Sequence, residues 1–199
     1  MAEPILTDFS DPVQRDAFGH WLSGFVDGEG SFNVGYHIPR GGKTTLFVTH
    51  LAIELRSDDL EILEEIKKYF GCGQPISFRE FKNSSCQTAR LQFFRSDEIV
   101  NSIIPHFDRY PLRAKKRRDY LIFREASLLR YQVSLRKCRH KGLNMGYAKK
   151  WNFDEIEHFK SLADKLRKTR RFDSAVALTN VRPEEKDPQS RLNFRDWGG

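Results

Sequence analysis

The sequence predicts an α+β domain in which one antiparallel sheet has helices packed on one face and its other face free. The spacing of apolar residues alternates between a helical and a strand period, in the order αββαββα. The strands come in pairs separated by short turn-rich segments, which is typical of hairpins. Of the 199 residues, 39% are hydrophobic and 13% are aromatic, which is enough to form a core. We expect one domain over residues 10–170 and a polar tail over residues 171–199.

The first helix is predicted to begin at Ser10-Asp11-Pro12, because serine and aspartate cap helices and proline favours the first turn. Its apolar stripe of helical period consists of Val13, Ala17, Phe18, Trp21, Leu22, Phe25 and Val26. Gly24 and Gly28 lie four residues apart on this helix, and Ser23 adds another small side chain. Glycine inside a helix costs about 1 kcal/mol relative to alanine, so these small residues favour close packing against a second helix.

The same helix ends in two carboxylates, Asp27 and Glu29. A helix C-terminus already carries partial negative charge from unpaired carbonyl groups, so acidic side chains there lower the stability of the helix. A bound cation would explain their presence, because carboxylate and carbonyl oxygens are the ligands that Mg²⁺ prefers. The alternative is an ordinary frayed helix end that has Gly28 and Gly30 as caps.

Two hairpins follow, separated by a helix. The inward positions of the first hairpin are Phe32, Val34, Tyr36, Phe47, Thr49, Leu51, Ile53 and Leu55. Those of the second are Ile76, Phe78, Ala89, Leu91 and Phe93. Asp58 and Glu61, at the spacing of a capping box, begin the helix between the hairpins, and Gly71 ends it. A short helix is expected to begin at Ser96 and to stop near Pro105.

The free face of the sheet is predicted to be polar and basic. On or beside it lie Asn33, His37, Arg40, Lys43, His50, Arg79, Lys82, Arg90 and Gln92. Side chains of these types hydrogen-bond to base edges, and the major groove of DNA is wide enough to admit a pair of β-strands. The alternative is an ordinary solvated sheet face.

Positive charge is concentrated in one part of the chain. Residues 109–141 include twelve Lys or Arg and two acidic residues, a local net charge of +10. The whole chain has 34 basic and 27 acidic residues, so the remainder has 22 and 25, a net charge of −3. Such clustering predicts a surface that faces phosphates, and Lys116 and Arg117 are candidate contacts. A localisation signal or a solvated turn is the alternative for this basic run.

Apolar residues at helical spacing predict two more helices, within residues 120–133 and 153–166, with a loop over residues 134–152. No apolar run approaches the roughly 20 residues that a membrane span needs, and the polar N-terminus is unlike a signal peptide. Cys72, Cys86 and Cys138 indicate neither a disulfide framework nor a zinc site. We therefore expect a soluble, intracellular protein in a bacterial or archaeal cytoplasm or in an organelle.

The segment Leu22-Ser-Gly-Phe-Val-Asp-Gly-Glu-Gly30, followed by Ser31-Phe-Asn-Val, resembles the signature of the LAGLIDADG homing endonucleases, in the branch with one motif per chain. The resemblance extends over roughly residues 15–135, through the order of elements and the Pro111-Leu-x-x-Lys115-Lys segment. It implies the LAGLIDADG endonuclease fold, in which the free sheet face is a DNA-binding saddle. It also implies a homodimer in which the motif helices of two chains pack at a two-fold axis.

The resemblance implies roles for several residues. Glu29 and the Gly28 carbonyl would bind the metal, Mg²⁺ or another divalent cation such as Mn²⁺, whereas Ca²⁺ would bind without supporting cleavage. Lys115 would lie near the scissile phosphate and form the catalytic group together with Glu29 and Asp27. Residues at the dimer interface would be Trp21, Ser23, Gly24 and Asp27.

Two positions depart from the pattern of the family. Glu29 stands where the signature has aspartate and is one methylene longer. Leu55 aligns with a position at which some relatives have a polar side chain that organises the attacking water, and Glu54 or Arg56 would take that role here.

The function that these features predict is site-specific cleavage of double-stranded DNA at a long pseudo-palindromic target, by an enzyme encoded in an intron. The alternative is a protein of the same fold that binds nucleic acid without cutting it. Such a protein would be a maturase that binds its own intron RNA, or a transcription regulator. In either case the tail over residues 171–199 would be disordered or in contact with DNA.

Overall fold

A computed structural model describes residues 7–80, 87–136 and 151–170 of the chain. The helices are α1 (Pro12–Glu29), α2 (Leu60–Phe70), α3 (Ser96–Glu98), α4 (Ile104–Arg109), α5 (Lys116–Leu135) and α6 (Phe153–Thr169). The strands are β1 (Gly30–His37), β2 (Leu46–Arg56), β3 (Ser77–Arg79) and β4 (Thr88–Phe93). Among the described residues, no helix is long and apolar enough to cross a membrane. The chain divides into two units, Met1–Thr169 and Arg170–Gly199, and all of these elements belong to the first.

The four strands form one antiparallel sheet in the order β1-β2-β4-β3. Asn33 pairs with His50, and Glu54 pairs with Arg90, so these four side chains share one face. This is the free face of the sequence-based expectation, and we call it the open face. The other face is the core, and its fully buried members include Phe32, Leu51, Ile53, Leu91 and Phe93. The predicted α+β fold, with helices on one side of an antiparallel sheet, is therefore confirmed.

Helix α1 begins as predicted and runs directly into the sheet. The side chain of Asp11 accepts a hydrogen bond from the backbone N–H of Val13 at 2.9 Å, and Pro12 occupies the first turn. The helix ends at Glu29 and β1 begins at the next residue, Gly30. A Cβ atom at Gly30 would lie 2.5 Å from the Val26 side chain, so only glycine allows so close a junction. The junction places the acidic end of α1 at the margin of the sheet.

Two helix boundaries differ from the sequence-based expectation. The helical path does not stop at Pro105 but continues to Arg109, because the preceding turn, Ile99–Ile103, is π-helical. In a π-type turn an N–H group bonds to the carbonyl five residues back, as Ile104 does to Ile99. Proline lacks an N–H group, so this shifted pattern lets the helical path continue past it. The predicted capping box is also wrong: the carboxylate of Asp58 accepts hydrogen bonds from Arg56 at 2.7 and 3.1 Å and makes no helix cap.

A second apolar cluster joins α6 to the sheet. Phe159 of α6 is fully buried and packs edge-on against Phe47 of β2, with ring centroids 5.1 Å apart. The Trp151 ring packs against the same Phe47 ring, with centroids 4.4 Å apart and the ring planes tilted by 38°. The predicted last helix is thus confirmed, and it lies against α5 and β1 rather than over the motif helix.

One buried polar network ties α1 to the helices behind it. His106 is 6% exposed; its Nδ1 lies 3.0 Å from the Tyr69 hydroxyl and its Nε2 lies 3.3 Å from the Ser23 hydroxyl. The Ser23 hydroxyl in turn donates to the carbonyl of Tyr110 at 2.6 Å. Burial, with a smaller contribution from Arg15, lowers the pKa of His106 to about 3. His106 is therefore neutral in the folded protein over most of the pH range.

This network predicts how stability changes with pH. Folding lowers the pKa of His106, so the neutral side chain stabilises the folded state relative to the unfolded one. This stabilisation is fully present above the unfolded-state pKa near 6.5 and is lost as pH falls toward 3. Between these limits, each pH unit of acidification should lower the free energy of unfolding by about 1.4 kcal/mol through this residue alone. Urea unfolding at a series of pH values would measure it. A His106→Gln variant, less stable at pH 7, should show a shallower slope, and equal slopes would contradict the account.

Candidate functional site

The acidic end of α1 is the centre of the candidate site. Glu29 is the last residue of the helix, and its side chain is exposed at the junction with β1. Gly28 is also exposed, so its backbone can be approached from outside. A carboxylate and a helix-terminal carbonyl therefore lie next to each other on an open surface, and both offer the oxygen donors that hard divalent cations prefer.

Asp27 has a different environment from Glu29. Its Oδ2 accepts hydrogen bonds from the backbone N–H groups of Arg113 and Ala114 at 2.7 and 3.0 Å. Its Oδ1 is buried and has no hydrogen-bond partner among the residues that the structure describes. Asp27 therefore anchors the loop that precedes α5 to the end of the motif helix. The sequence could not predict this contact, which joins residues 86 and 87 positions apart.

The loop held by Asp27 brings a lysine to the site. The ammonium group of Lys116 donates a hydrogen bond to the Gly28 carbonyl. Lys115, to which the sequence pattern gave the role near the scissile phosphate, is exposed at the start of α5. A positive charge at the C-terminus of a helix is favourable, so this contact stabilises the acidic end of α1. Of the two lysines, Lys116 is the one whose side chain contacts the Gly28 carbonyl.

One side of α1 has the features expected of a helix–helix contact. Trp21 is 43% exposed and stacks on Phe25, with ring centroids 5.0 Å apart and an interplanar angle of 20°. A Cβ atom built at Gly24 or Gly28 would meet no atom of the described chain within 4 Å. This face, which we call the α1 seam and define by Trp21, Gly24, Phe25 and Gly28, therefore has room for another helix.

Ser23 does not belong to the α1 seam, although the sequence placed it at the dimer interface. Its side chain is 6% exposed and donates to the Tyr110 carbonyl inside the subunit. The residue lies on the opposite side of the helix from Trp21 and faces α4. The contacts that the structure shows for Ser23 are therefore within the subunit, and a small residue suits such a contact as well as one between chains.

Six of the nine residues that were predicted on or beside the free sheet face lie on the open face of the sheet. The strand register places there Asn33, His37, His50, Arg79, Arg90 and Gln92. Arg40 and Lys43 are exposed in the loop between β1 and β2. Lys82 lies outside the described residues. The alternation predicted from the sequence therefore places polar side chains together on one surface.

The basic stretch contributes both to the fold and to the surface. Three of its arginines form ion pairs within the subunit: Arg109 with Asp16 at 2.9 Å, Arg124 with Asp108 at 2.9 Å, and Arg136 with Glu155. Hydrogen bonds from Arg124 hold the pKa of the Asp108 carboxyl below its usual value. The exposed basic side chains near the site are Arg113, Lys115, Arg117 and Arg118. Part of the clustered positive charge therefore stabilises the fold through ion pairs, and the basic side chains beside the motif are exposed to solvent.

Comparison with known protein families decides the family of the chain. The model of the LAGLIDADG endonuclease family matches residues 22–127, more than half of the chain. The chain belongs to the LAGLIDADG endonuclease family. The match begins at the first residue of the motif in α1 and continues into α5, so it includes the open sheet face and the acidic junction.

Relatives with similar sequences belong to fungi and archaea. The chain is 32% identical over 112 residues to an uncharacterized 50.9 kDa protein in ND4 intron 1 of Podospora anserina. It is 32% identical over 126 residues to a probable intron-encoded endonuclease, Cox1-I1b, of Schizosaccharomyces pombe. These matches cover 55% and 63% of this LAGLIDADG chain but only 23% and 31% of the two relatives. A match to the homing endonuclease I-ApeII of Aeropyrum pernix is 26% identical and covers 59% of this chain and 66% of that protein.

Solved structures of LAGLIDADG proteins have the same fold. The chain superposes with a TM-score of 0.59 and 25% identity on I-SmaMI bound to an uncleaved DNA target in the presence of calcium ions. That alignment covers 84% of this chain and 50% of I-SmaMI. The homing endonuclease I-TnaI has a TM-score of 0.55 at 22% identity, with 76% of this chain and 94% of I-TnaI covered. The last comparison supports the fold alone.

Two residues of this surface have contacts or positions that add to the roles expected from the sequence. Lys116 was assigned to DNA binding, and only the structure brings its side chain to the Gly28 carbonyl. Glu54 was considered only as a substitute for a water-organising residue, yet it is an acidic side chain on the open face. Its position in the alternating strand was the signal that could have identified it.

Proposed function

We propose that the chain is a homodimeric, divalent-metal-dependent endonuclease that cuts both strands of a long pseudo-palindromic DNA site and is encoded within an intron. The observation that carries this proposal is the acidic junction of α1 with β1, where Glu29 and Gly28 lie beside Lys116 and next to the open sheet face. An acidic and a basic group therefore lie beside the polar side chains of the sheet, which supports the proposal.

The metal in this proposal is Mg²⁺ or Mn²⁺, held by the Glu29 carboxylate and the Gly28 carbonyl. Both groups supply the oxygen donors that such an ion prefers, and both residues are exposed. The Lys116 ammonium group that hydrogen-bonds to the Gly28 carbonyl would have to turn away, toward a phosphate, when the ion binds. Over residues 7–80, 87–136 and 151–170, no three His, Cys, Asp or Glu side chains lie together as a metal site. We assign the remaining ligands to a second motif and to the DNA. When bound, the ion would activate water and stabilise the leaving oxygen of the phosphodiester.

The second motif in this proposal comes from a second copy of the chain. The sequence contains one LAGLIDADG motif, and the α1 seam offers small residues and an aromatic pair to a partner helix. A two-fold axis through two such seams would bring the two Glu29 side chains together, since each lies at the end of its own α1. The same axis would join two open sheet faces into one extended surface for DNA.

Lys116 is proposed to stabilise negative charge that develops on the phosphate during cleavage. Replacing Lys116 with methionine should lower the rate constant for cleavage at saturating DNA by about 10²-fold. The matched Lys115→Met change removes the same charge from the neighbouring position and should act mainly on DNA affinity. Single-turnover cleavage at saturating protein would separate the two effects. A larger loss of rate for Lys115→Met than for Lys116→Met would restore the role to Lys115.

Binding and stoichiometry test the proposed function first. Purified chain, equilibrated with a random-sequence duplex library in Ca²⁺, should enrich a site with two related half-sites. Sedimentation of the complex with that site should give two chains per duplex. Binding without sequence preference would contradict the proposal, and enrichment of intron RNA in place of duplex DNA would favour the maturase alternative.

A further inference from the structure

An acidic side chain lies where the proposed DNA surface should be positive. Glu54 is the only acidic residue in the four strands, all of which the structure describes in full. Its register partner is Arg90, which puts both side chains on the open face. Next to DNA, an unpaired carboxylate would be repelled by the phosphates, so its presence on this face needs a physical reason.

Both carboxylate oxygens of Glu54 are directed at neighbours on β4. Oε1 accepts a hydrogen bond from the Thr88 hydroxyl at 3.0 Å. Oε2 lies 3.7 Å from Nε of Arg90. The side chain of Glu54 is 33% exposed and that of Arg90 only 16%. Thr88 therefore fixes the carboxylate, and the carboxylate in turn faces the inner nitrogen of the guanidinium group.

Arg90 is held more tightly than an ordinary surface arginine. It belongs to β4, between β2 and β3, and pairs across them with Glu54 and Ser77. Its Nε is buried and has no hydrogen bond within 3.5 Å in the described chain. The ion pair with Glu54 therefore offsets the free-energy cost of burying this charged group. A restrained guanidinium loses less conformational entropy when it docks on a ligand than a free one does.

We propose that Glu54 is a positioning residue that holds Arg90 for base recognition and keeps it from phosphates. This role presupposes the sequence-specific DNA binding proposed above. Arginine reads guanine through two parallel hydrogen bonds to O6 and N7, so the pair would recognise one G·C base pair in each half-site. Without Glu54, the same guanidinium would be free to swing onto the phosphate backbone, which carries no sequence information.

A direct contact of Glu54 with DNA is the competing possibility, since a carboxylate accepts a hydrogen bond from the amino group of cytosine. The two oxygens already face Thr88 and Arg90, which leaves less of the carboxylate available for a base. A role in organising the attacking water is a third possibility, because Glu54 follows Ile53, the register partner of Gly30. The experiment below gives a different result for each.

The test compares Glu54→Gln, Arg90→Gln and the double variant by site selection from a randomised half-site. Each single variant should weaken the preference for guanine at one position by about 10-fold to 100-fold and leave the other positions unchanged. The double variant should lose no more than either single one, because Glu54 acts through Arg90. Glu54→Gln should also steepen the slope of log binding constant against log salt concentration by about one, the value of one added phosphate contact. The double variant should not, because it lacks Arg90.

Several results would overturn the role. An unchanged guanine preference in Glu54→Gln would do so, as would losses that add in the double variant, which indicate separate base contacts. Loss of cleavage with unchanged site preference would place Glu54 at the reaction instead. Thermal melting of each variant identifies a folding defect, and Glu54→Asp, which keeps the charge, should then restore part of the preference. If the wild-type chain selects no sequence at all, the proposed function fails, whereas selection that is insensitive to Glu54 overturns this inference alone.

Discussion

Replacing Glu29 with glutamine is expected to lower the rate of DNA cleavage by about 10³-fold, since the metal would lose several kcal/mol of its contribution to the transition state. Glutamine keeps the length and shape of the side chain but lacks the charge that a hard cation requires. Glu29 is exposed, so the fold should tolerate the change. DNA affinity without metal should not fall, because the variant has one negative charge fewer near the phosphates. Single-turnover cleavage and gel-shift binding on the same duplex would measure the two quantities.

The matched control for this prediction is Glu64→Gln. Glu64 is an exposed glutamate on α2, away from the junction of α1 with β1. It undergoes the same chemical change and should cleave at the wild-type rate. Equal rates for Glu29→Gln and the wild-type protein would remove Glu29 from the metal site. Loss of DNA binding in parallel with loss of cleavage would instead indicate that Glu29 supports the DNA surface.

Replacing Gly24 with leucine is expected to separate the two subunits without unfolding them. Within one chain the new side chain meets open space, and leucine favours a helix by up to about 1 kcal/mol over glycine. At the α1 seam the same side chain would enter a close helix contact twice, once from each copy. Overpacking costs about 1–3 kcal/mol per site, so two sites should weaken the dimer by about 2–6 kcal/mol, or roughly 30-fold to 10⁴-fold. Sedimentation equilibrium would measure the dissociation constant, and cleavage should fall with dimer content.

Gly19 provides the matched control on the same helix. A Cβ atom there would lie 2.6 Å from the ring of Tyr110, whose hydroxyl is held by Asp16 at 2.7 Å. Gly19→Ala should therefore lower the melting temperature and leave self-association of the folded fraction intact, the opposite pattern to Gly24→Leu. If Gly24→Leu dimerises as tightly as the wild-type chain, the second motif does not pack on this side of α1.

The period of the apolar residues predicted the sheet and most helices because burial selects one face of each element. The register Asn33–His50 and Ala52–Gln92 follows from that alternation, and so does the polar open face. The error at Pro105 has a local cause, since a π-helical turn accommodates the proline and leaves no sign in the period. Helix identity was therefore predictable where packing decides it. Helix ends were predictable where a capping residue marks them, as at Asp11 and Gly71, but not at Pro105.

The candidate site was predictable only in part. Asp27 and Glu29 drew attention because a helix that ends in carboxylates is electrostatically unfavourable without a cation. The family resemblance then implied Glu29 and the Gly28 carbonyl as metal ligands, which stays a prediction. The choice between Lys115 and Lys116 could not be predicted, because adjacent residues at the start of a helix point about 100° apart and only the contact with Gly28 distinguishes them. The link from Asp27 to Arg113 was also hidden, since a contact between distant residues depends on how the helices pack.

Mapping the cut in each strand of the selected duplex is the measurement that tests the central claim most directly. Both strands, labelled at their ends, would be incubated with the wild-type chain in Mg²⁺, in Ca²⁺ and in chelator. We expect one fixed cut per strand, placed symmetrically about the centre of the site. The cuts should occur in Mg²⁺ only, and Glu29→Gln should make none. Tight and selective binding with intact strands in both Mg²⁺ and Mn²⁺ would contradict this expectation and identify a non-cleaving member of the family.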